Sequence, residues 1–120
     1  MVKVRSNLVL DKAEALALRI VKLYKYLQQK KELVMSKQIL RSGTSIGANI
    51  TEGHYAASKP DFINKYVIAE KEAAETLYWL NLLLKSGYLP EDDATRSLVA
   101  DCDEILRLLV SSVKTAKSKN

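Results

Sequence analysis

Apolar residues recur along this chain at spacings of three and four, the pattern of helices that each bury one face. Ala13, Leu16, Ile20, Leu23 and Leu27 form one such stripe, widened by Ala17 and Tyr24, and predict a first helix over 10–31. Asn7 or Asp11 is suited to cap its start. Glu32 to Met35 then read as a turn, with Ser36 as the cap of a second helix over 36–57. On that helix Ile39, Ile46, Ile50 and Ala57 share a narrow stripe. Ser58, Pro60 and Asp61 supply a hydroxyl cap, an early proline and a first-turn carboxylate, which together start a third helix over 59–86. Gly87 is its stop signal. Pro90, followed by Glu91, Asp92 and Asp93, starts a fourth over 90–115, where Leu98, Cys102, Ile105, Leu109 and Ser112 make one row beside Val99, Leu106 and Val113. No stretch alternates with the period of a strand. The expected fold is all-α: an up-down-up-down antiparallel four-helix bundle forming a single domain over 1–120.

Two helices depart from the simple one-stripe pattern. The third carries Phe62, Tyr66, Ala69, Ala73, Leu77, Leu80 and Leu84 on one face, and Ile68, Glu72, Glu75, Trp79, Leu82 and Leu83 roughly opposite. In a bundle of four, no helix is enclosed on all sides by its own partners, so a second apolar face argues for a homo-oligomer. The second helix holds Gly43, Gly47 and Gly53, each costing about 1 kcal/mol relative to alanine within a helix. Close approach of a neighbouring backbone is the expected compensation. Arg41, Ser45, Asn49 and Glu52 share a polar strip on that helix, away from its isoleucines. Gly53 reads as a weak point, with His54, Tyr55 and Ala56 as a frayed last turn. A lone histidine there is more often a surface or capping residue than a ligand or base.

Composition adds limits. Hydrophobic residues make up 48% of 120, while glycine and proline together number six, which favours packed helices over disorder. One cysteine, Cys102, excludes an internal disulfide framework and fits a reducing cytoplasm; it is most simply a small core residue. The N-terminal stretch holds Lys3, Arg5 and Asn7 and lacks an apolar core for a signal peptide. No run approaches the ~20 apolar residues of a membrane span.

The net charge of +5 is unevenly placed: residues 1–59 carry 11 Lys and Arg against 4 Asp and Glu, and residues 60–120 carry 8 against 10. Lys12, Arg19, Lys22, Lys25 and Lys30 lie mostly away from the first helix's apolar stripe, with Tyr26 among them. Such a ladder can bind the phosphates of RNA or DNA through counterion release. It can equally be an ordinary solvated face.

Catalytic and metal chemistry is poorly supplied. Glu72 and Glu75 have the three-residue spacing used in carboxylate-bridged metal sites, but those sites also need Glu-x-x-His pairs, and the single histidine is out of register. One histidine and one cysteine on different helices form no hydrolytic set, and no phosphate-binding glycine loop is present. The expectation is a protein that is not an enzyme and has neither metal nor cofactor. A structural use remains: Arg41 and Asn49 against Glu72 and Glu75 as a buried ionic and hydrogen-bonded cluster that fixes which surfaces meet.

The segments QILRSGTSIGANITEG (38–53), SKPDFINKYVIAEKEAAETLYWL (58–80) and KSGYL (85–89) resemble the bacterial family of four-helix proteins encoded in intervening sequences of 23S ribosomal RNA genes. Arg41, Ser45, Asn49, Glu52 and Gly53 fall on its first motif; Lys71, Glu72, Glu75, Thr76, Tyr78 and Trp79 fall on its second. The resemblance covers nearly the whole chain and implies a short antiparallel bundle assembled as a ring, typically a homopentamer. A related branch comprises the accessory variability determinants of diversity-generating retroelements, which partner a reverse transcriptase and nucleic acid. The ribosomal name often attached to the family reflects gene location. No catalytic activity comes with it, and its shared motif residues read as structural. The functional expectations are an RNA- or DNA-binding accessory module or, alternatively, a protein-interaction scaffold.

Overall fold

The computed structural model describes residues 7–119, so Lys3 and Arg5 lie outside it. Four helices follow one another: α1 (Leu8–Gln29), α2 (Met35–His54), α3 (Lys59–Lys85) and α4 (Asp93–Ser118). They pack as a rod of 48 × 21 × 21 Å in which each helix touches its two neighbours around the ring, and α1 and α4 close it. The pairings run in opposite directions. Gly43 and Gly47 of α2 meet Ile20 and Ala13 of α1; Lys12 and Arg19 of α1 reach Glu104 and Asp101 of α4.

The predicted stripes form most of the core, with one correction on α3: Leu83, expected on its second face, is fully buried, while Phe62, Leu77 and Leu84 of its first stripe are only half-buried. Ala13, Leu16, Ile20, Leu23 and Leu27 of α1 are buried, as are Ile39, Ile46 and Ile50 of α2. Tyr66, Ala69, Ala73, Leu80 and Leu83 of α3 meet Leu98, Cys102, Ile105, Leu109 and Val113 of α4. Burial pushes the Cys102 thiol up to about 12, helped by Asp103 and Asp101, so it stays a neutral core group.

Helix ends differ from expectation where a stronger local partner was available. α1 starts at Leu8 because Asn7 Oδ1 accepts the Leu10 amide at 3.0 Å. Its C-terminus closes with the Glu32 amide reaching back to the Leu27 carbonyl, which places Lys31 in the left-handed region at φ 62°. α2 is capped from outside: the buried Glu32 carboxylate accepts the Ser36 amide at 2.7 Å, so Ser36 lies inside the helix. Its last residue is His54, leaving Ala57 exposed and off the isoleucine stripe. α3 begins on Ser58 as read, and Gly87 at φ 85° follows its end. α4 starts at Asp93 rather than Pro90, because Asp92 Oδ1 takes the Thr95 amide at 2.8 Å, a bond that also lowers the Asp92 pKa.

Candidate nucleic-acid interface and assembly surface

Two surfaces hold the residues singled out in the sequence. The first is the seam of α2 with α3. Arg41 projects across it, donating to Glu72 Oε1 at 3.2 Å and to Glu75 Oε2. Trp79, one turn further along α3, donates its indole N–H to the same Glu75 oxygen at 2.9 Å. These donors hold the Glu75 carboxyl below its ordinary range, Trp79 contributing most and Arg41 next. The Arg41 guanidinium is raised in turn, chiefly by its bond to Glu75. At the other end of the strip Glu52 pairs with Lys65 at 3.0 Å.

The cluster is not the buried one expected. The Arg41 side chain is 49% exposed and that of Glu75 34% exposed, at the rim of the seam. Asn49 does not join it: its amide donates to the Ser45 carbonyl at 2.8 Å, and the Ser45 hydroxyl donates to the Arg41 carbonyl at 2.7 Å. Both bond their own helix, as short polar side chains on helices readily do. The buried polar link lies one position inward, where the Thr76 and Ser42 hydroxyls share a hydrogen bond of 2.9 Å with neither residue exposed. That link had no signal in the sequence beyond two hydroxyl residues at core positions.

The glycines admit side chains rather than a backbone. A Cβ on Gly43 would stand 2.9 Å from Ile20 Cγ2, and one on Gly53 3.0 Å from the Tyr66 ring. Gly53 and His54 are buried and helical, not frayed. His54 sits against Tyr66, whose hydroxyl is 2.9 Å from Nε2, and the Asn7 side-chain amide lies 2.5 Å from the same nitrogen. The only histidine thus ties the start of α1, the end of α2 and α3 together.

The second surface is the outer face of α1, and α4 divides it. Arg19 is committed: it donates to Asp101 Oδ2 at 2.6 Å, to the Ser97 hydroxyl at 3.2 Å and to the Ala94 carbonyl at 3.1 Å. Lys12 pairs with Glu104 at 3.1 Å. Lys22, Lys25 and Lys30 are exposed and, among the described residues, form no ion pair; Lys30 Nζ lies 5.5 Å from the centroid of the Tyr26 ring. On this face the free positive charge is therefore left to the C-terminal end of α1 and its cap residue Lys30, a narrowing that depends on acids 82 and 92 residues away in the chain.

With this four-helix geometry in place, the family described as 23S rRNA-intervening sequence protein matches over residues 5–111. The chain belongs to that family. A crystal structure at 1.70 Å of a protein of unknown function from the S23 ribosomal protein family of Bacteroides thetaiotaomicron VPI-5482 is similar to it, with 55% identity and a TM-score of 0.86. The match covers 89% of this chain and 99% of that one. No curated protein matches. The solved relative shares this fold, and of the motif residues Arg41, Glu72, Glu75 and Thr76 make hydrogen bonds across the α2–α3 seam. No helix among the described residues is long and apolar enough to cross a membrane.

Proposed function

We propose that this chain is a non-enzymatic accessory module that assembles with copies of itself and binds nucleic acid, RNA foremost, through the outer face of α1. One observation carries the binding half: Lys22, Lys25 and Lys30 point outward, exposed and outside the ion pairs that occupy Lys12 and Arg19, in a molecule of formal net charge +5. The assembly half rests on α3, where Ile68, Trp79 and Leu82 are only half-buried within one chain and Tyr78 is exposed. Burying such a face against a second copy removes apolar surface from water at roughly 25 cal/mol per Å2. The family resemblance implies a ring of five, which would present five basic faces on one cytoplasmic particle and raise avidity without any new contact.

Binding of this kind neutralises phosphates and releases counterions. Three lysines give a slope of about −2 in log affinity against log salt for a single strand, per subunit engaged. A gel shift with RNA and with DNA at low and raised salt tests it. The expected result is a complex with little sequence preference that weakens steeply with salt. No complex with either polymer at low salt overturns it.

The pairing of Lys12 and Arg19 with α4 supports a second reading, a protein-interaction scaffold, because it removes two of the five cations from the face. A defined protein partner, a reverse transcriptase among the candidates, recovered after nuclease treatment selects that reading.

A further inference from the structure

We infer that Tyr26 is a stacking platform for an unpaired base, and that the polymer this face takes is single-stranded. This deepens the nucleic-acid reading above and rests on it. Tyr26 is 38% exposed in the middle of the free lysines. Lys22 lies one turn before it and Lys30 one turn after, each about 6 Å along the helix axis, with Lys25 adjacent in sequence. Lys30 sits over the Tyr26 ring, so a cation and an aromatic face are presented together. A backbone tracking α1 would meet charge, ring and charge in turn, the combination that holds single strands without reading sequence.

The surroundings favour one strand over two. Tyr26 forms part of the wall of a groove of about 390 Å3, lined by Leu23, Leu89 and Leu98 and bordered by Lys22. Its lining is mostly apolar, with Arg19, Asp92 and Thr95 also on it, and suits the face of a base. Across the groove stands the exposed carboxylate of Asp92, the cap of α4, with the exposed acids Glu91 and Asp93 on either side of it in sequence; Arg96 pairs with Asp93 and also acts on Asp92. A duplex is paired and stacked, offers no base to the ring, and sets a second line of phosphates toward those acids. A single strand keeps its phosphates on the lysine bank.

Fluorescence anisotropy decides it, using labelled oligouridylate and oligothymidylate of about 15 nucleotides and an RNA hairpin stem of similar length. Wild type is expected to bind both single strands more tightly than the stem. Tyr26→Ala should weaken single-strand binding by about 5- to 150-fold, the range that base–aromatic stacking supports, and leave stem binding unchanged. Tyr26→Phe should stay within about 2-fold of wild type. The Lys22→Gln/Lys25→Gln variant should weaken all three probes and flatten the salt dependence. Circular dichroism confirms that each variant folds, as expected for exposed positions. If Tyr26→Ala binds single strands as wild type does while the lysine variant loses them, stacking is refuted and the charge-based reading stands. A wild type that prefers the stem also overturns the inference, and a wild type that binds no probe overturns both.

Discussion

Burial holds the His54 imidazole below its ordinary pKa of 6.5, and the neighbouring Tyr66 hydroxyl is raised by the same cause. A histidine whose folded pKa is depressed binds its proton more readily in the unfolded chain. Stability contributed by neutral His54 is therefore complete above about 6.5 and is lost as pH falls toward the folded value. Glu75 and Asp92, both held below the ordinary carboxylate range, act in a separate and more acid window. Urea midpoints measured from pH 7.5 to 5 should fall for wild type and stay nearly level for His54→Gln, although that variant is less stable at neutral pH. Parallel slopes would show that His54 does not carry the dependence. Nothing near His54 in sequence announces this role: its partners Asn7 and Tyr66 lie 47 and 12 residues away, so only the tertiary fold converts a helix-end histidine into a buried junction.

Helices are legible to the extent that their signals are local. Ser58, Pro60 and Asp61 sit within one turn and start α3 where they should. The α4 start is local too, yet Pro90 and Asp92 compete, and the carboxylate that can accept an amide prevails. The α1 face is the opposite case: its lysines are plain in sequence, but Asp101 and Glu104 decide which remain free. Gly43 and Gly47 look alike in sequence and differ in the fold. The space above Gly43 is occupied by Ile20, fully buried and stiff at its branched carbon, whereas a Cβ on Gly47 would rest 3.7 Å from that of Ala13. Gly47→Ala should therefore stabilise α2 by about 0.5–1 kcal/mol through helix propensity. Gly43→Ala gains the same term but must displace Ile20, an overpacking cost of roughly 1–3 kcal/mol, so its net effect is a loss. Chemical denaturation of the two variants should give shifts of opposite sign; equal shifts would mean that Ile20 yields to the added methyl without cost.

At the scale of the whole molecule, the exposure of Arg41 separates two purposes that its ion pairs might serve. With 49% of the side chain accessible, its bonds to Glu72 and Glu75 belong to the class of surface pairs that contribute about 0–1 kcal/mol to the stability of a single chain. A contribution that small is a weak reason to hold an arginine, two glutamates and a tryptophan N–H in one constellation. The same groups border the half-buried outer face of α3, where Trp79 and Leu82 are the apolar surface a second copy would cover. Covering them would also remove water from the Arg41–Glu75 pair, and a charge pair inside an interface becomes costly to break by removing one partner. Arg41→Ala should then separate the two measurements. The thermal midpoint of an isolated chain should move little, while the mass found by light scattering should fall from a multiple of 13.5 kDa toward a single chain, with Trp79 emission shifting to the red as the indole meets water. A variant that keeps the wild-type mass and emission would confine Arg41 to the α2–α3 seam and leave the outer face of α3 without its proposed partner.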